Sequence, residues 1–350
     1  MGDYKRQNSV GSRMSITLAP MTKVKIGLIG AGHLGKIHLK LLKEIKGFEL
    51  VGFYDSDPAA IASIEKEFGV KAFQNFEELV EKCDAIDIVT PTAAHFDYAA
   101  YAAFRFKHYF VEKPLTSTLA EARKLLSLTD EARVKAMVGH VERFNPAYLS
   151  VKDKAHQPLF IEVHRLAQFN PRGTDVSVVL DLMIHDIDLI LSLVKASVKK
   201  VSASGVAIIS DTPDIANARI EFDNGCVANL TASRISVKNM RKMRLFQQGA
   251  YISMDFLKKK AETFSIHEHP VEEGNAFELD IPGKAKKYVQ FEQQTPPENN
   301  AIKMELEAFL DSIVHNKPVP VSIQDGLNAM EVGYMILDKI KRQRVVANLG

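Results

Sequence analysis

Three glycines, Gly30, Gly32 and Gly35, stand between a β-rich run and a helical repeat, and they constrain the fold more than any other feature of the chain. The run Val24-Lys25-Ile26-Gly27-Leu28-Ile29 precedes them, and after them Leu34, Ile37, Leu41 and Ile45 recur at helical spacing. Asp55 follows Gly35 by 20 residues, at the end of a second β-rich run from Phe48 to Tyr54. Gly-x-Gly-x-x-Gly in a strand–turn–helix, with an acid at that distance, is the fingerprint of a dinucleotide-binding βαβ unit. Gly30 permits the tight turn, Gly32 lets the backbone approach a pyrophosphate, and Gly35 lets helix and strand pack closely. The helix start at His33 and Leu34 offers unpaired N–H groups and partial positive charge to the phosphates. Asp55 is placed to accept hydrogen bonds from the adenosine ribose hydroxyls and to repel a 2′-phosphate, so the expected cofactor is NAD rather than NADP. Asp57 reads as the cap of a helix that starts at Pro58. The alternative is a glycine-rich turn that binds no dinucleotide.

The alternation continues beyond the fingerprint. Helices are predicted over Pro58 to Phe68, His95 to Phe104 and Leu119 to Ala132, and strands over Ala85 to Val89, His108 to Val111 and Ala136 to Val141. Strands alternating with helices imply an α/β fold with a parallel, doubly wound sheet covered on both faces. Past Asn145 the rhythm changes. One apolar helix, Val179 to Val194, sits among strand-like runs at Phe160 to Leu166, Val201 to Ile209, Ala216 to Phe222, Cys226 to Ala232, Arg244 to Gln247, Tyr251 to Met254 and Tyr288 to Glu292. Asp223-Asn224-Gly225 marks a hairpin, and two helices, Ala301 to His315 and Gln324 to Lys341, end the pattern. The expected organisation is a polar, patternless extension or tag over residues 1–22, with translation starting at Met14 or Met21. A Rossmann domain over 23–144 follows, then a substrate-binding and oligomerisation domain over 145–350, α+β with a large, mostly antiparallel sheet.

Bulk properties remove several classes of function. Among 350 residues, 45 basic side chains face 43 acidic ones, a formal charge of +2 that gives no reason to expect nucleic acid or an anionic membrane as partner. No apolar stretch approaches the about 20 residues that span a bilayer, and no signal peptide is recognisable. Two distant cysteines, Cys83 and Cys226, suggest free thiols and a cytoplasmic location. No metal-ligand set is read: His267-Glu268-His269 lacks third and fourth ligands, and the basic runs at Lys258 to Lys260, Lys284 to Lys287 and Lys238 to Arg244 read as solvated faces.

Two further strings suggest chemistry. Glu112-Lys113-Pro114 ends a strand at the sheet edge where open α/β sheets bind ligands, and a lysine there can stabilise a developing alkoxide. By itself such a lysine is more often a solvated surface residue. In the helix at 179–194, Asp181 and His185 are four apart and share a face, and an ionisable pair inside an apolar helix is costly without a purpose. A histidine with a pKa near ~6.5 suits proton abstraction from an alcohol at neutral pH. The competing reading is a core histidine satisfied by a nearby aspartate. Asp186 and Asp188 are expected to face elsewhere, capping the helix or pairing with basic residues.

Gly30-x-Gly32-x-x-Gly35-x-x-His38, Thr90-Pro91 with His95, Glu112-Lys113-Pro114 and Asp181-x-x-x-His185-Asp186 together resemble the glucose–fructose oxidoreductase / inositol dehydrogenase / rhizopine-catabolism (Gfo/Idh/MocA) family, from about Lys23 to the end of the chain. The resemblance implies a Rossmann domain, a C-terminal α/β domain and a substrate site between them. It implies that Lys113 binds the reacting hydroxyl, Asp181 orients substrate or lysine, and His185 is the acid/base, with Thr90, Pro91, His95, Glu112 and Lys113 beside the cofactor. Many family members carry a glycine run before the aspartate; here Thr174-Asp175-Val176-Ser177-Val178-Val179-Leu180 stands instead, which argues against a plain inositol or glucose dehydrogenase. The strings Gly139 to Pro146 and Arg172 to Val176 look most like the branch acting on nucleotide sugars, such as UDP-N-acetylglucosamine 3-dehydrogenases. Arg143, Asn145, Arg165 and Arg172 are the candidate substrate contacts, the last two for a diphosphate. The alternatives are a dehydrogenase of a free sugar, inositol or small polyol, and a non-catalytic NAD-binding sensor or co-regulator. A homodimer or homotetramer is expected.

Overall fold

A computed structural model describes residues 23–170, 176–271, 275–280, 282–294, 296 and 299–347. The extension 1–22 and Arg172 lie outside the described residues. The first half runs β1 (Val24–Ile29), α1 (His33–Glu44), β2 (Phe48–Tyr54), α2 (Pro58–Phe68), α3 (Phe76–Glu81), β3 (Ala85–Ile88), α4 (His95–Phe104), β4 (His108–Glu112), α5 (Leu119–Ala132), β5 (Ala136–Gly139) and α6 (Pro146–Leu149). Its five strands are parallel in the order β2-β1-β3-β4-β5. The order reverses between β1 and β3, so the loops leaving these strands open a crevice at the carboxyl edge of the sheet, where such folds bind ligands. β3 and β5 are buried along their whole length, as both faces of a covered parallel sheet require.

The second half runs β6 (Phe160–Leu166), α7 (Ile184–Leu193), β7 (Val198–Val206), β8 (Ile215–Phe222), β9 (Val227–Ser233), β10 (Met240–Gln247), β11 (Ala250–Asp255), β12 (Lys260–His267), β13 (Asn275–Leu279), β14 (Lys287–Gln294), α8 (Ala301–Val314) and α9 (Ile323–Ala347). Nine strands form one sheet, β13-β14-β12-β11-β10-β6-β9-β8-β7. All its pairs are antiparallel except β6 with β9. Alternation decides the faces: Ile161, Val163, Met243, Leu245, Ile252 and Met254 point to the core. α7 packs on β6 and on α9, and α9 on β7.

Three departures from the sequence pattern matter. The helix predicted from Val179 to Val194 begins as a wider π turn, Val179–Met183, before α7. β12 was not recognisable because its inward positions, Ala261 and Thr263, are small or polar, so no apolar run betrays it. Finally, α8 and α9, which a division at residue 145 groups with the second sheet, also pack on the first. α8 contacts α1, α9 contacts α5 and β5, and Val321 accepts a hydrogen bond from the Val138 N–H.

Candidate active site

The glycine loop follows β1 on the edge that faces the crevice. Gly30 has φ +91°, and a Cβ there would lie 2.7 Å from the Thr90 nitrogen. A Cβ on Gly35 would lie 2.1 Å from the Gly30 carbonyl oxygen, so helix and loop approach as only glycine allows. A Cβ on Gly32 would meet nothing within 4 Å, which leaves this side open. No side chain caps the start of α1, where His33 is exposed and Leu34 half-buried. Asp55, after β2, is held beside the loop: Oδ2 accepts from the Ala31 N–H at 2.7 Å and Oδ1 from the Asp57 N–H at 2.9 Å. Asp57 caps α2, as expected, through the Ala59 N–H. An open glycine turn, an uncapped helix start and a fixed carboxylate fit the pyrophosphate and ribose of a dinucleotide.

Thr90 and Pro91 leave β3 across from this loop, half-buried and exposed respectively. His95 is buried beneath them. Its Nδ1 is 2.8 Å from the Pro114 carbonyl and its Nε2 2.9 Å from the Thr90 carbonyl. Burial, partly offset by these carbonyls, lowers its pKa, and the neutral ring, with one N–H, donates to one of the two carbonyls at a time while packing between the Thr90 loop and the Lys113-Pro114 segment. That segment contains a cis peptide bond.

Lys113 leaves β4 and meets the π turn. Its Nζ donates to the Asp181 carbonyl at 2.9 Å and to Asp181 Oδ1 at 3.2 Å, so the wide turn presents a backbone and a side-chain oxygen of one residue to the ammonium. π turns of this kind concentrate at functional sites. His185 lies on the following helical turn, partly buried. Its Nδ1 is closed off without a partner among the described residues, and Nε2 is not so enclosed. Burial first, then the charges of Lys113, Arg165, His140 and Arg241, holds its pKa well below the ordinary histidine value. His140, fully buried, stands edge-on to His185 with ring centroids 6.4 Å apart, and burial lowers its pKa as well. Two neutral imidazoles therefore adjoin one ammonium.

Three of the four expected substrate contacts, Arg143, Asn145 and Arg165, are engaged in the framework, and Arg172 lies outside the described residues. Arg165 is 2% exposed; it grips Asp186 through Nε and Nη2 at 2.8 and 2.7 Å and Glu142 through Nη1 at 2.8 Å. Arg143 binds Asp188 through Nε and Nη2 at 2.7 and 2.8 Å. Asn145 caps α6 through the Ala147 N–H and donates to Glu142 and to the Phe256 carbonyl. Asp186 and Asp188 thus pair with arginines, as expected, which engages Arg165 and Arg143. His140 and Glu142 were overlooked. Both follow β5 on the same carboxyl edge as Lys113 after β4, and that position was the available signal. Arg241, at the start of β10, is half exposed with Nη1 3.5 Å from Glu142 Oε1. Among the described residues no helix is long and apolar enough to cross a membrane, and both cysteines are free and buried.

Residues 24–140 match the NAD-binding Rossmann-fold domain of the GFO/IDH/MocA oxidoreductases, and residues 134–252 match a GFO/IDH/MocA C-terminal domain. UDP-N-acetylglucosamine 3-dehydrogenase of Acidithiobacillus ferrooxidans is 35% identical over 300 residues, covering 85% of this chain and 91% of that protein. The scyllo-inositol 2-dehydrogenase (NAD(+)) of Bacillus subtilis strain 168 is 31% identical over 235 residues, 61% of this chain and 68% of that protein. A structure of the Acidithiobacillus enzyme superposes with TM-score 0.83 at 33% identity, covering 92% of this chain and 99% of the other. The scyllo-inositol dehydrogenase from Lactobacillus casei with bound NAD(H) and scyllo-inositol superposes with TM-score 0.74 at 21% identity, over 92% and 98%, a likeness of fold alone.

Proposed function

Because the chain belongs to the Gfo/Idh/MocA family of NAD-binding oxidoreductases, we propose that it oxidises a secondary hydroxyl of a sugar at the Lys113–Asp181–His185 constellation, with a nucleotide sugar such as UDP-N-acetylglucosamine, at its 3-hydroxyl, as substrate. The observation that carries this reading is the ammonium of Lys113 fixed by the carbonyl oxygen and Oδ1 of Asp181 beside a partly buried, neutral His185.

Bound NAD supplies the hydride acceptor. His185 Nε2, unprotonated at neutral pH, takes the proton of the hydroxyl as the carbinol C–H bond breaks and the carbonyl forms. Lys113 keeps a third N–H that its two bonds to Asp181 leave over, and this donor stabilises the alkoxide as charge develops. Asp181 holds the ammonium so that no reorganisation is needed at that moment. Asp55 favours NAD over NADP by accepting from the ribose and repelling a 2′-phosphate.

The nucleotide-sugar assignment is supported by the 35% identity along 85% of the chain; the free-polyol reading is supported by the inositol dehydrogenase relative. The test is to follow reduced-nicotinamide absorbance with NAD or NADP against UDP-N-acetylglucosamine, N-acetylglucosamine and scyllo-inositol, with a trap for the ketone. NAD-dependent reduction with the UDP conjugate alone is the expected result. Reduction with inositol alone moves the assignment to polyols. Tight NAD binding with no reduction on any alcohol supports the sensor reading and overturns the catalytic one. We place this activity in the cytoplasm and in a homo-oligomer. The outer face of the nine-stranded sheet carries a ladder of Phe160, Phe246, Tyr251, Phe264 and Phe291 with centroids 4.8 to 5.9 Å apart. The Arg244–Glu162 pair on the same face supplies both signs of charge for a two-fold-related copy.

A further inference from the structure

Behind Lys113, four titratable side chains from four elements meet inside the protein: His38 of α1, Asp87 of β3, Glu112 of β4 and Glu305 of α8. His38, Asp87 and Glu305 are 0% exposed and Glu112 is 9% exposed. His38 Nδ1 is 2.9 Å from Asp87 Oδ2, and Nε2 is 3.5 Å from Glu112 Oε1. The Glu112 carboxyl fills the space of a missing side chain on the neighbouring strand, since a Cβ on Gly139 would lie 2.8 Å from its Oε1. Neither oxygen of Glu305 has a hydrogen-bond partner among the described residues. One ligating atom each from His38, Glu112 and Glu305 lies within 4.8 Å of the others.

The charges do not balance. Three carboxyls surround one imidazole, so full ionisation with a cationic His38 leaves two unmatched negative charges in a site closed to water. Buried groups in that position neutralise rather than stay ionised. The basic groups on neighbouring elements are taken: Lys113 by Asp181, Arg143 by Asp188, and Lys303 of α8 by Glu44. We propose that Glu305 carries a proton at neutral pH, which removes its repulsion from Glu112, within 4.8 Å of it, and lets that carboxyl keep its place against Gly139. Glu112 Oε2 accepts from the Lys113 N–H at 3.2 Å, so Glu305 is a positioning residue for the backbone from which Lys113 extends. The electrostatics agree in direction. Burial, then Glu112, holds Glu305 well above the carboxyl range, with Asp87 adding and His38 opposing. Burial lowers His38, but Asp87 and Glu112 outweigh it and leave the imidazole raised. The link to turnover rests on the catalytic reading of Lys113; the proton on Glu305 does not.

The test uses the full chain and compares urea unfolding of wild type and Glu305→Gln across pH. A carboxyl whose folded pKa is raised contributes stability below its unfolded pKa, and loses it as pH rises toward the folded pKa. Between the unfolded value of about 4.3 and the folded one, wild type releases one proton on unfolding that the glutamine cannot. The wild-type folding constant therefore falls about tenfold per pH unit relative to Glu305→Gln. Parallel pH curves overturn the proposal. So does a metal ion retained in stoichiometric amount by wild type and lost by Glu305→Gln, since a cation would then occupy the cluster. In turnover, Glu305→Asp and Glu305→Ala are expected to lower kcat with the KM for NAD unchanged, and Glu305→Gln to restore kcat; wild-type kcat in a folded Glu305→Ala removes the positioning role. If wild type turns over no alcohol, the catalytic reading fails while the unfolding comparison still decides the proton.

Discussion

Replacing Lys113 by methionine keeps the length of the side chain and deletes the ammonium. The variant loses two bonds to Asp181 and the remaining N–H aimed at the substrate oxygen. Removing one preorganised donor to a developing oxyanion costs about 10² to 10³ in kcat, or about 2.7 to 4 kcal/mol, and that is the expected loss here. The loss falls on the transition state, so kcat drops with kcat/KM. Calorimetry should find NAD binding preserved, because the glycine loop and Asp55 belong to other strands. A second consequence distinguishes this account from general damage. Burial sets most of the depression of His185, but the Lys113 charge is the next cause. Without it the His185 pKa rises, and the acid limb of the kcat/KM profile, below which the base is protonated, moves to higher pH. Steady-state kinetics across the acid range in constant ionic strength measures both effects. A Lys113→Met enzyme with wild-type kcat, or with an acid limb displaced to lower pH, would refute the assignment of Lys113 and His185 as oxyanion donor and base.

Other variants probe the surrounding frame. Asp55→Ala should weaken NAD by about 1.5 to 3 kcal/mol, the value of a hydrogen bond to a charged group, and narrow the preference over NADP; titration calorimetry with both cofactors reads this. Gly35→Ala places a methyl 2.1 Å from the Gly30 oxygen, so α1 must move off the loop, and NAD binding should be lost along with a measurable fall in Tm. Arg165→Met leaves Glu142 and Asp186 facing one another without their shared partner, and breaking a buried pair in this way costs about 3 to 5 kcal/mol, read as a lower denaturant midpoint. Tyr251→Glu in the aromatic ladder should shift the oligomer to a smaller species in sedimentation, leaving the tertiary fold unchanged.

The sequence disclosed the first sheet far better than the second. In the βαβ region the signals agree with one another: apolar strands, helical spacing and glycines whose backbone demands are local. Asp55 and Lys113 could be placed because each ends a strand, and strand ends at one edge converge whatever the loops do. The second sheet was legible where strands alternate strongly, as in β8 and β9, and not where inward residues are small, as in β12. Side-chain pairing was the least readable. Arg165 and Asp186 are 21 residues apart and Arg143 and Asp188 45 apart; nothing local says that an arginine near a catalytic helix faces a carboxylate rather than a ligand. The same holds for Glu305, whose neighbours His38, Asp87 and Glu112 come from the other end of the chain.

Those long-range pairs explain how a mostly apolar helix can carry four ionisable side chains. Asp181 points to Lys113 after β4, Asp186 to Arg165 on β6 and Asp188 to Arg143 after β5. Each anion is matched by a cation from a different element, so the segment is held against both sheets by charge-assisted bonds. His185 is the fourth, and the only one of these side chains whose ring has no bonded partner among the described residues. A base fixed on a helix pinned at three points, with its open nitrogen unengaged, is preorganised for a proton that arrives with the substrate. Loosening any one pin should therefore raise the mobility of His185 before it unfolds the chain. Asp188→Asn, which keeps the shape and removes the counter-charge of Arg143, makes the distinction: the urea midpoint should fall, as for Arg165→Met, and the kcat of the still-folded enzyme should fall with it. A lower midpoint with wild-type kcat would mean that the pairs serve stability alone.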